Sequence, residues 1–162
     1  TVLVAQETKK FSPVDLQPKS NQFLANNLGS GIQGATLASL RRGEQLLEGV
    51  KFNISEGFLQ LGGPLLKEPK PERVDGIQVG KRFAKLHLLH ATMWGGQQGV
   101  ADDTEIAKYL VHYEGGDTET VPVIYAKDIL DWWGDRREVT RCKLAWEGEI
   151  ATSMAVPCTR ST

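Results

Sequence analysis

The side chains best suited to recognising a ligand are aromatic. Trp94, Trp132 and Trp133 fall in loops or at strand ends. A sugar ring presents C–H faces that stack on flat aromatic surfaces, and indole adds one N–H donor. Asp128 and Asp131 stand just before the Trp pair and can accept hydrogen bonds from hydroxyls, with Tyr125 close by. These six residues form the candidate ligand-binding set, and their chemistry is that of a shallow carbohydrate platform. The same stretch also reads as a plug, in which Trp132-Trp133 closes one end of a β-structure while Trp146 lies in the core. Adjacent residues on extended chain point to opposite sides, so at least one of the pair is structural.

Other constellations fall short. His87 and His90 are three apart on an expected strand and face opposite sides, so they cannot chelate together. His112 lies on another strand, and no Cys or Glu is placed to complete a zinc site. The densest acidic run, Asp102-Asp103-Thr104-Glu105, could hold a structural Ca²⁺, but it lacks the alternating ligand spacing of a calcium loop. It reads as a solvated turn, and no cofactor is expected. Asp128 and Asp131 would serve as a glycosidase acid/base pair only at a set separation across a cleft. There is no Gly-x-Ser-x-Gly elbow, no Cys-x-x-Cys and no Gly-x-x-x-x-Gly-Lys phosphate loop. Gly29-Ser30-Gly31-Ile32-Gln33-Gly34 follows no strand and opens no helix, and reads as a flexible loop. No catalytic residue is expected.

The elements that must position these residues are strands. Phe11 to Leu16 reads as a short opening strand, and residues 17–36 as a long polar loop. Gln45 to Ile54 ends in alternation, with Val50, Phe52 and Ile54 on one face and Lys51 and Asn53 on the other. Phe58 to Leu61 and Ile77 to Val79 are brief. Lys85 to Thr92 is apolar on both faces, which suits a central strand covered on both sides. Ile106 to Tyr113 and Glu119 to Tyr125 form a hairpin about Gly115-Gly116-Asp117. Residues 127–133 could make a short helical turn. Residues 140–147 and 153–160 form a hairpin centred near Ile150 that would bring Cys142 and Cys158 face to face. A cross-strand disulfide is then geometrically open, as is a pair of free thiols.

Several segments together resemble bacterial jelly-roll domains of the planctomycete type, like the carbohydrate-binding modules attached to secreted glycosidases. They are Phe11-Ser12-Pro13-Val14-Asp15-Leu16 and Gly43-Glu44-Gln45-Leu46-Leu47-Glu48-Gly49-Val50-Lys51-Phe52-Asn53-Ile54. Leu86 to Trp94, Val111 to Gly116 and Tyr125 to Trp133 fit the same pattern. The resemblance covers residues 11–160. It implies an antiparallel β-sandwich, binding in place of catalysis, and a place outside the cytoplasm, periplasmic or secreted. Similar domains continue beyond the position of Arg160-Ser161-Thr162 with a further pair of strands. That implies either a piece of a longer chain or an edge completed by a partner subunit.

The totals agree with one such domain. A chain of 162 residues can bury a core without a metal or disulfide staple. Its 17 glycines and 7 prolines signal many turns. Nineteen basic and 20 acidic residues give a net charge of −1 with no basic block, so nucleic acid is not an expected partner. No apolar run approaches the roughly 20 residues of a membrane span. The expectation is therefore an all-β, jelly-roll sandwich with long loops over residues 11–162, lacking its last strands, after a frayed or processed segment 1–10. Its function is to bind a carbohydrate through loop aromatics. The competing reading is an accessory subunit that docks on a larger protein assembly through its exposed sheet edge.

Overall fold

A computed structural model describes residues 11–28, 33–95, 99–133, 135, 137–149, 154–155 and 158–161, the last strands as backbone only. The expectations for residues 1–10 and for the glycine-rich loop at 29–32 lie outside the described residues. The described chain is built of short strands with one single-turn 3₁₀ helix, Gln17–Lys19. No helix in it is long and apolar enough to cross a membrane.

The first strand, β1 (Gln22–Phe23), pairs antiparallel with β4 (Gly57–Phe58). Between them β2 (Gly43–Leu47) and β3 (Val50–Ile54) form a hairpin in which Leu47 faces Val50. Its two-residue turn, Glu48-Gly49, holds both residues at positive φ (47° and 75°), the backbone that matches the twist of the flanking strands. Gly49 adopts it freely, whereas Glu48 must be held there by the closed hairpin. Gln45 to Ile54 is thus a hairpin and not one run. Its second arm keeps the expected alternation, with Val50, Phe52 and Ile54 the more buried residues. Phe11 to Leu16 forms no strand. Pro13 and Pro18 supply no N–H, and Asp15 Oδ1 accepts the Gln17 N–H at 2.9 Å, which turns the chain. Ile77 to Val79 is likewise irregular.

The long hairpin of β6 (Glu105–His112) and β7 (Thr118–Ile124) forms as expected, with one bulge between Glu105 and Ala107. The run from Lys85 to Thr92 supplies β5 (His87–His90), whose residues are all half-buried. Among the described strands β5 pairs only with β11 (Cys158–Ser161), which pairs on its other side with β8 (Cys142–Leu144). β5 is therefore an edge and β11 the centre, the reverse of the sequence reading. An apolar run shows that a strand is covered, not which strand lies beside it. A nested pair, β9 (Gly148–Glu149) and β10 (Met154–Ala155), completes the hairpin that rejoins β8 to β11.

The register places Cys142 opposite Arg160 and Cys158 opposite Leu144. The two cysteines are thus diagonal neighbours, offset by two positions, and not directly opposed. Cys142 is buried and disulfide-bonded.

Two apolar cores result among the described residues. Leu28, Ala35 and Trp132 centre one, with Leu37, Phe58, Met93, Trp133 and Trp146 packed on it. Val123, Tyr125 and Ile129 centre the other, with Val100, Ile106 and Tyr109 around them. His90 joins β5 to the long hairpin, its ring nitrogens lying 2.9 Å from Tyr109 Oη and 2.9 Å from the Asp128 carbonyl oxygen.

Peptide mapping without reductant is expected to return Cys142 linked to Cys158. Cys142→Ala should then cost about 2–4 kcal/mol in chemical denaturation. Equal stability of oxidised and reduced chain would show that the bond constrains nothing.

Candidate binding site

Five of the six candidate binding residues lie in one segment, 123–133, which runs from one core into the other, and the sixth, Trp94, precedes Gly95, whose N–H binds Asp131. Tyr125 begins it. Its ring is fully buried, and its hydroxyl donates to Asp135 Oδ2 at 3.0 Å. Arg137 Nη2 approaches the same hydroxyl at 3.4 Å, and its guanidinium carbon stands 5.8 Å from the ring centroid. Burial and the bond to Asp135 push the Tyr125 hydroxyl up to about 12, against the opposing pull of Arg137. Gly95 lies flat against this ring, where an added Cβ would overlap its edge and hydroxyl.

Asp128 is wholly buried. Its Oδ2 accepts the Ile124 N–H at 2.8 Å and an Arg141 N–H at 2.7 Å. That bond closes the turn at 124–128, in which Ala126 takes a left-handed φ of 63°. Asp131 is 7 % exposed and accepts from two backbone amides, Trp133 at 2.7 Å through Oδ1 and Gly95 at 2.6 Å through Oδ2. Burial raises its carboxyl above the ordinary range. The two amides oppose that shift, and the nearby Asp135 charge adds to it. Backbone bonds from Thr92 N–H to the Leu130 carbonyl and from Trp132 N–H to the Thr92 carbonyl, both 3.0 Å, fix the segment beside the end of β5. The helical turn expected at 127–133 is thus a tight turn followed by extended chain.

The platform expected of this set does not lie on the surface. Trp132 is 4 % exposed and meets Trp133 edge-on, their ring centroids 5.5 Å apart. Trp94 and Trp133 are half-buried. Trp132, Tyr125, Asp128 and Asp131 therefore serve as interior supports, because their faces and oxygens already meet protein atoms. In the acidic run, Asp102 pairs with Arg137 at 2.9 Å and Asp103 with Lys127 at 2.7 Å. No group of three or more metal-binding side chains occurs among the described residues. His112 Nδ1 lies 2.8 Å from Thr118 Oγ1 within its own hairpin.

A cleft that sequence reasoning missed borders the tryptophan core through Leu28. It has a volume of about 320 Å³ and is lined by Gln22, Asn27, Gln33 and Gln60, by Leu28 and Leu66, and by the charged run at Lys67, Glu68 and Lys70. Gln22 and Gln60 are 8 % and 9 % exposed. Gln22 Nε2 donates to Gln60 Oε1 at 3.2 Å, and Asn26 Nδ2 donates to Gln22 Oε1 at 2.6 Å. Asn21 grips the Gln60 backbone from both sides, accepting its N–H at 2.8 Å and donating to its carbonyl at 2.9 Å. Gln60 Nε2 reaches Met93 Sδ at 3.6 Å, which seats the amide on the tryptophan core. A terminal amide carries two N–H donors. Among the described residues each of the two buried glutamine amides uses one, so both retain a donor. The signal in the sequence is faint, since the partners stand 38 or 39 positions apart.

Comparison with protein-family models, with curated proteins and with solved structures returns no match for the chain.

Trp132→Ala is expected to cost about 3–5 kcal/mol, read by denaturant unfolding, since it empties the centre of one core. A loss under about 1 kcal/mol would show that the ring is not a core group. The acid limb of stability should depend on Asp135. Burial pushes its carboxyl up, but the hydrogen bonds from Arg137 and Tyr125 outweigh this and leave it below the ordinary range. A lowered carboxyl contributes stability that is present above the ordinary carboxylate range and lost as pH falls through its folded value. Asp135→Asn should therefore flatten the fall in stability between neutral and acid pH, while an unchanged pH profile would mean that the network does not form.

Proposed function

We propose that the chain is a non-catalytic carbohydrate-binding module of jelly-roll sandwich type, working outside the cytoplasm, with its ligand seated in the amide-lined cleft. The observation that carries this reading is the pair of buried glutamines, Gln22 and Gln60, held rigidly at the wall of a cleft of about 320 Å³. Amides both donate and accept, as sugar hydroxyls do, and a pre-ordered amide loses little freedom when it binds. Leu28 and Leu66 offer apolar surface for the C–H face of a ring. The volume lies at the small end of ligand sites, which suits one or two sugar units. Small antiparallel sheets and long loops support the all-β part of this reading. Loop aromatics support the cleft from beneath and do not line it.

Two observations favour the docking reading instead. The eight-residue strand β6 pairs on one side only among the described strands, and Leu46 on β2 is 72 % exposed. An unpaired edge of that length can take up a strand from a partner.

Titration with a panel of soluble polysaccharides separates the two. Saturable binding is expected with one sugar class. Gln33→Ala and Asn27→Ala, both at exposed positions of the rim, should each weaken it by roughly three- to tenfold through a lost hydrogen bond, with unchanged unfolding curves. A flat response from folded protein would move the assignment to the docking subunit.

A further inference from the structure

Lys70 sits where two clefts meet. It lines the amide cleft, and with Leu66 and Glu68 it also lines a neighbouring cleft of about 440 Å³ bounded by Gly62, Pro64 and Glu72. Its side chain is only 17 % exposed, unusual for a lysine outside a tight ion pair. The backbone is held on both sides. Pro69 and Pro71 fix the flanking φ angles, and Gly62 N–H donates to the Pro71 carbonyl at 2.8 Å. The ammonium stands 3.7 Å from Glu68 Oε2, well beyond the length of a charge-assisted hydrogen bond, and the Glu68 side chain is 81 % exposed. A carboxylate so fully in water is screened and gives little in return for the desolvation of the lysine.

We propose that the ligand of the amide cleft is an anionic polysaccharide, whose carboxylate or sulfate group pairs with the Lys70 ammonium while Gln22 and Gln60 hold the neighbouring hydroxyls. This rests on the carbohydrate-binding reading and names the class of sugar. An anion inside the cleft meets the ammonium away from bulk water, where the attraction is stronger than that of exposed Glu68. The charges of the two clefts give the chain a direction. The amide cleft carries Lys67 and Lys70 against Glu68 and favours the anionic group. The second cleft carries Glu68 and Glu72 against Lys70, and its carboxylates accept hydrogen bonds from the hydroxyls of the next sugar. A polymer crossing the Lys70 wall places its charge on one side and its hydroxyl face on the other. An ammonium is a point charge and does not itself choose between carboxylate and sulfate.

Calorimetric titration of the full chain with oligosaccharides of polygalacturonate, of a sulfated galactan and of a neutral galactan tests this. At least one anionic series should bind roughly tenfold more tightly than the neutral one, and added salt should weaken it. Lys70→Met should bring anionic binding down to the neutral level, while Lys70→Arg retains the preference. The better of the two anionic series identifies the group. Equal binding of neutral and anionic sugars, unchanged in Lys70→Met, overturns the assignment of an anionic ligand while the binding-module reading stands. No binding of any series by folded wild-type chain overturns both.

Discussion

Two buried carboxylates that accept backbone N–H groups hold the rest of the structure in place. Asp128 closes the turn that leaves β7, and Asp131 ties the following extended chain to Gly95 on one side and Trp133 on the other. A buried carboxylate is costly unless donors surround it, so each of these bonds is strongly specified. Because the carboxylates fix segment 123–133, Tyr125 and Ile129 enter one core and Trp132 enters the other. Arg141 compensates Asp128 across the turn, and its backbone N–H also binds the Lys127 carbonyl at 3.0 Å. The segment does with side-chain acceptors what a regular strand would do with ladder bonds.

From this pin the contacts run outward to the cleft. Trp132 centres the core on which Met93, Leu28 and Phe58 rest. Met93 receives the Gln60 amide, Leu28 forms part of the cleft wall, and Phe58 lies opposite Gln22 in the β1–β4 pair. The aromatic residues that look made for stacking on sugar thus hold rigid the amides that face the cleft. Rigid polar groups over an apolar support are what a site of modest size requires.

Much of the local structure was legible from residue types. Val50, Phe52 and Ile54 alternate, and they occupy one face of a strand. Gly115-Gly116-Asp117 stands between two β-rich runs, and those runs pair as a hairpin. The importance of Tyr125, Asp128, Asp131, Trp132 and Trp133 was also legible, and the plug reading of Trp132-Trp133 anticipated a buried ring; residue types alone did not choose it over the platform, because a stacking ring and a core ring have the same sequence signature. The position of β5 at a sheet edge could not be read either, since strand order is set by contacts remote in sequence. The amide cleft was hidden for the same reason. Gln22 and Asn21 sit in a stretch whose polar composition reads as a loop, and only pairing with β4 brings them to Gln60. What remains outside local reasoning is the joining of the small antiparallel sheets, where distant pairings decide.

Side-chain N–H signals in nuclear magnetic resonance, followed while an isotope-labelled chain is titrated with the tightest-binding oligosaccharide, locate the ligand directly. Glutamine amides and tryptophan indoles are resolved in one spectrum, so both surfaces report at once. Seated in the amide cleft, the ligand shifts the amides of Gln22, Gln60 and Gln33 and leaves the Trp94 and Trp133 indoles unmoved. Shifts confined to those two indoles, with silent amides, would contradict it and return the site to the aromatic loops.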